Sequence, residues 1–167
     1  PSIVVWVPFN EGWGQFESAR VTARLKALDP TRLVDSTSGW FDQGAGDFES
    51  RHIYGIRLRR PKPHSRRAFV LSEFGGYSLS LPGHLWDDKK KFGYRFYDSS
   101  EAMTEAYLQL LNEQLKPLIA QGLAGAIYTQ TTDVEIEING YLTYDRAIEK
   151  MPPERLAQAH KELIASI

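Results

Sequence analysis

The sequence predicts an α/β protein with a parallel sheet, and three observations predict it. Five short apolar runs bounded by turn residues, at 3–9, 33–36, 52–54, 68–72 and 124–129, read as buried parallel strands. Between several of them apolar residues recur at helical spacing. Strand and helix therefore alternate, the order that builds a parallel sheet with crossover connections.

The first helix is expected over 16–28, with Val21, Leu25 and Leu28 on one face and Asp29-Pro30 stopping it. A second is capped by Ser99 or Ser100, with Glu101 in its first turn. It continues through Met103, Tyr107, Leu110, Leu111 and Leu115 to Gln121-Gly122, with Pro117 as a kink. A third occupies 153–164. Two connections break the pattern. Residues 56–67 are too rich in proline and arginine for a helix. Residues 77–98 hold Trp86, Phe92, Tyr94, Phe96 and Tyr97, so this is either a functional loop or one packed on its own side chains.

Composition bounds the function. The 167 residues are 42% hydrophobic and 25% charged with a formal net charge of -1, the mix of a globular domain with a sizeable core. Nothing here marks a nucleic-acid footprint or a membrane-surface patch. The one basic run, 57–67, is broken by Pro61 and Pro63 and reads as a solvated loop. No apolar run approaches the ~20 residues of a membrane span. With no cysteine there is no disulfide scaffold. His52, His64, His84 and His160 lack metal-ligand spacing, so no metal site and no cofactor are expected. Residues 1–6 already read as a core strand, so the chain is expected to begin inside a larger protein. Its compartment stays open.

Two acids stand out. Glu11 follows the run 3–9 directly, and Glu73 follows 68–72 in Ser72-Glu73-Phe74-Gly75-Gly76. Each occupies the C-terminal end of a strand, the end that forms the active-site face of an α/β barrel. With two candidate strands between them, they would face each other across a barrel mouth. Retaining glycoside hydrolysis requires such a pair: a nucleophile and an acid that then acts as base, about 5–5.5 Å apart. Either glutamate alone could equally be an ordinary strand-end acid. Glu135 and Glu137, two residues apart on one segment, cannot flank a glycosidic bond. No Gly-x-Ser-x-Gly elbow occurs, which leaves a serine hydrolase unsupported.

Four segments, in order, resemble the catalytic stretch of glycoside hydrolase family 2, the family of β-galactosidases, β-glucuronidases and β-mannosidases. They are Val5-Trp6-Val7-Pro8-Phe9-Asn10-Glu11-Gly12-Trp13-Gly14-Gln15, then Asp29-Pro30-Thr31-Arg32, then Ser72-Glu73-Phe74-Gly75-Gly76. The last is Tyr128-Thr129-Gln130-Thr131-Thr132-Asp133-Val134-Glu135 with Asn139-Gly140-Tyr141-Leu142-Thr143-Tyr144-Asp145-Arg146. The resemblance implies that residues 1–167 are the C-terminal part, about strands four to eight, of a (β/α)8 TIM barrel. Strands one to three and the β-sandwich domains that precede them would be absent. The rest of the parent chain would complete the barrel, and this stretch alone would be weakly active or inactive.

By this resemblance Glu11 is the general acid/base, Glu73 the nucleophile, and Asn10 bonds the sugar 2-hydroxyl. Tyr54, at the end of the sixth strand, would bond the nucleophile, and His52 would line the same pocket. Trp40 and Tyr128 would stack on sugar rings or belong to the core. Asp133, Glu135 and Asn139 match the family pattern as loop architecture. None of Asn10, Asn112 and Asn139 is followed two residues on by lysine, the element with which β-glucuronidases hold their substrate carboxylate. That favours β-galactosidase-like neutral sugars. The alternative is a non-catalytic fragment that at most binds carbohydrate through Trp13, Trp40 and Trp86.

Overall fold

The computed structural model describes residues 2–60 and 65–167. The chain is a mixed α/β protein with small parallel sheets and, among the described residues, three helical segments. It divides into two compact units. The first is Pro1–Ile53, Arg60–Glu73 and Gly122–Ala126; the second is Tyr54–Arg59, Phe74–Gln121 and Ile127–Ile167.

In the first unit the expected strand 3–9 is two pieces, β1 (Val5–Trp6) and β2 (Phe9–Asn10). Pro8, between them, has no N–H to give a ladder. After helix α1 (Ser18–Leu28), only the first half of the expected strand 33–36 is extended, as β3 (Leu33–Val34), and β4 (Thr37–Ser38) follows beyond its expected end. β1 pairs in parallel with β3, and β2 with β4, in the register Phe9 to Thr37 and Asn10 to Ser38. Strands β5 (Phe48–Tyr54), β6 (Ala68–Gly75) and β9 (Leu123–Thr129) form a sheet in the order β5-β6-β9. β5 starts four residues before the expected 52–54, its alternation obscured by Glu49 and Arg51.

The helix α1 ends at Asp29-Pro30 as expected, but its sheltered face is not the expected one. Ser18 and Thr22 are buried and Leu28 is exposed. Thr22 Oγ1 donates to Ser36 Oγ at 2.9 Å, so a hydroxyl pair holds the helix where an apolar stripe was expected. The basic run also departs from a solvated loop: Leu58 is buried, Arg60 lies over the Phe69 ring, and Arg67 is tied down. Arg67 forks onto Asp42 and donates to the carbonyls of Ala45 and Phe48, each at 2.8 Å. Pro61, Pro63 and His64 lie outside the described residues, as does Pro1 of the expected first strand.

In the second unit residues 77–98 contain two short parallel strands, β7 (Tyr77–Leu79) and β8 (Arg95–Tyr97). Its aromatic residues pack on one another and on near neighbours: Tyr94 stacks on Tyr54 at 3.7 Å, Tyr97 tilts against Tyr77, and Trp86 stands edge-on to Tyr144. This is the self-packed alternative. The long helix runs as α2 (Ser100–Gln109), a π-helical turn (Leu110–Leu115) and α3 (Lys116–Ile119). Ser99 caps it by accepting from Ala102 N–H at 3.1 Å. The π turn immediately precedes Pro117, whose ring cannot pass a regular turn without crowding the carbonyl four residues back. Helix α4 covers Pro153–Ile164, as expected.

Candidate functional site

The first unit gathers five of the seven expected site residues: Asn10, Glu11, Trp40, His52 and Glu73. Asn10 ends β2, where Ser38 Oγ donates to its Oδ1 at 2.6 Å. That bond fixes the amide, so Nδ2 is the donor turned to other partners. Glu11 comes next, its N–H bonded to Ser38 O at 2.8 Å. Its backbone is left-handed, φ 53°, a conformation that side-chain-bearing residues adopt at a cost.

His52 lies on β5 with its side chain fully buried. Its Nδ1 is 2.7 Å from Glu11 Oε1, and its Nε2 is 3.6 Å from Glu73 Oε1 on β6. One donor atom from each of the three residues lies within 4.8 Å of the other two. Two carboxylates from distant parts of the chain thus meet at one imidazole. An N and two O atoms at these separations can also ligate a divalent metal. The spacing 11, 52, 73 hides such a set from any motif.

The ring of His52 is oriented from behind. A Cβ on Gly39 would stand 2.5 Å from His52 Cγ, so only glycine allows the approach, and Gly39 has φ 82°. Trp40 donates its indole N–H to His52 O at 3.2 Å and stands edge-on to the imidazole, centroids 5.9 Å apart. Below, Ser50 Oγ accepts from Gly39 N–H at 3.2 Å and is bonded to Ser72 Oγ. Asp35 is buried nearby, and desolvation pushes its carboxyl above the usual range against the pull of Ser50 and of His52.

Compared with the known protein families and with the curated proteins, the chain matches none. The site must be argued from its own geometry.

The other two expected residues belong to the second unit. Tyr54 stacks on Tyr94, and its hydroxyl is 3.1 Å from Thr129 Oγ1. Tyr128 is half-buried among aromatic rings: it stacks on Tyr141 at 4.5 Å, meets Phe74 and Tyr107 edge-on, and accepts from Tyr77 N–H at 3.1 Å. Its ring also lies where a Cβ on Gly75 would be, 2.4 Å from Cε2. Desolvation raises its hydroxyl pKa.

Sequence reasoning missed Gly39, Ser38, Ser50 and Phe41. The first three carry no chemistry and announce nothing alone. Phe41 is left-handed, φ 58°, with its carbonyl accepting from Gln15 Nε2 at 3.1 Å. Its ring touches Gly12, where a Cβ would be 2.8 Å from Cδ2.

Proposed function

We propose that this chain carries the catalytic carboxylates of a retaining β-glycosidase of the glycoside hydrolase family 2 type, in the C-terminal part of a (β/α)8 barrel. The observation that carries the reading is the meeting of Glu11 and Glu73 at His52, with donor atoms of all three within 4.8 Å. A retaining enzyme needs carboxyl groups about 5–5.5 Å apart, an inverting one about 6.5–9.5 Å to admit a water. The close pair favours retention.

In the first step Glu11 gives its proton to the glycosidic oxygen while Glu73 attacks the anomeric carbon. The C–O bond to the leaving group breaks and a glycosyl ester on Glu73 forms. In the second step Glu11 takes a proton from water. The water oxygen attacks the same carbon and releases Glu73. Asn10, its Oδ1 held by Ser38, offers Nδ2–H to the sugar 2-hydroxyl oxygen, a bond that orients the sugar over the two carboxylates. His52 holds Glu11 in place. The roles of Tyr54 and Tyr128 rest on the family resemblance alone, as does the preference for β-galactoside-like neutral sugars.

The test is an aryl β-glycoside assay on the protein that contains this chain. The first-formed sugar should keep the β configuration by NMR. A 2-deoxy-2-fluoro aryl glycoside should leave one sugar on Glu73, seen as a mass shift in the peptide that carries it. Glu73→Ala should bring turnover to background. Unchanged turnover in that variant would overturn the mechanism, and a wild type without turnover or label would leave the carbohydrate-binding alternative.

A further inference from the structure

Trp13 and Phe41 are 77% and 73% exposed. Single exposed apolar residues are ordinary on a protein surface. These two differ in where they stand and how they are held. Gly12 separates Glu11 from Trp13, and the Phe41 ring lies directly on Gly12. The 10–15 turn is tied internally, Trp13 N–H to Asn10 O at 2.9 Å and Gln15 N–H to Gly12 O at 3.1 Å. It is tied to Phe41 by the Gln15 side chain. Phe41, like Glu11, holds a left-handed backbone. Burial does not account for that cost at Phe41, because the ring so placed stays in solvent.

In the proposed reaction Glu11 protonates the oxygen that joins the sugar to its leaving group. Side chains carried on the turn that follows Glu11, and on the loop packed against that turn, are therefore the candidates to border the leaving group. We propose that Phe41 and Trp13 form a platform for it, and that the substrates are glycosides whose leaving group presents a flat apolar face, either an aromatic ring or the face of a second pyranose. This rests on the glycosidase reading. A flat face packs on an aromatic ring with little loss of conformational freedom, and a platform fixed by Gln15 and Gly12 is already in place before binding.

The test compares two leaving groups on one sugar: an aryl β-glycoside, and the β-glycosyl fluoride, whose leaving group has no face to stack. In Phe41→Ala and in Trp13→Ala the ratio of kcat/KM for the aryl substrate to that for the fluoride should fall about tenfold. Phe41→Tyr keeps a flat ring and should restore it. A disaccharide as third substrate assigns the platform, a matching loss indicating a pyranose and no loss an aromatic ring. Wild-type turnover of both substrates with an unchanged ratio in the alanine variants would overturn the platform and leave the glycosidase standing. A wild type that cleaves neither overturns the reading beneath both.

Discussion

At the scale of single residues the imidazole of His52 organises the site. It is buried, it lies 2.7 Å from one carboxylate and 3.6 Å from a second, and Gly39 and Trp40 pack against its ring. In the proposed reaction a group so placed acts through Glu11 rather than on the substrate, which makes His52 a positioning residue. Removing it frees the acid/base to swing away from the bond it must protonate, and a misplacement of about 1 Å costs on the order of 10²-fold. His52→Ala should lower kcat by that order while KM for an aryl glycoside moves little. His52→Asn, which can place an amide N–H near the former Nδ1, should recover part of the loss. An equal change in kcat and KM would mean that His52 serves binding. No change would remove it from the machinery. Glu11 and Glu73 stand out in the sequence because acids that follow apolar runs are few, and the structure brings both to His52. His52 was legible only through the resemblance, since its neighbours Arg51 and Ile53 say nothing of a pocket.

At the scale of elements the helices were legible and the strands partly so. Ser99, Asp29-Pro30 and the repeat from Met103 to Leu115 place ends and faces by local chemistry, and the structure keeps them. What local chemistry could not give was set by distant partners. Thr22 faces inward because Ser36 is there to accept from it, and β7 and β8 exist because residues 18 apart pair. The contact between α2 and α4 shows the same dependence and carries a pH prediction. Tyr107 on α2 is bonded to His160 Nε2 on α4 and to the Tyr141 hydroxyl, both at 2.7 Å. Tyr107 can donate to His160 only while that imidazole is neutral. Burial holds the His160 pKa below its ordinary 6.5. As pH falls through 6.5 the unfolded chain takes up a proton that the folded chain refuses, so stability is lost from there down to the folded value. Between about pH 8 and pH 5, denaturant melts should show the wild type losing more stability than His160→Gln. Parallel losses would show that the proton is taken up equally in both states.

At the scale of the whole molecule, apolar residues of the first strand region stand uncovered. β1 pairs with β3 alone among the described residues, and beside its open edge Val4 is 70% exposed, with Ile3 and Val7 exposed as well. The apolar run 3–9 read as a buried strand because burial on both faces is what such composition ordinarily means. Composition reports how a strand should be covered but is silent on which chain covers it. An apolar edge with free N–H and C=O groups is a template for another strand. In the proposed barrel that place belongs to the third strand. Left open, the edge should recruit a second copy. At roughly 100 µM the 167-residue chain should sediment as dimers and larger species, shifting toward monomer on dilution. Val4→Lys with Val7→Lys puts charge along the edge and should hold the chain monomeric without changing its circular dichroism. A wild type that stays monomeric across that range would mean the edge is not the exposed template its residues suggest. A double variant that still associates would move the contact elsewhere.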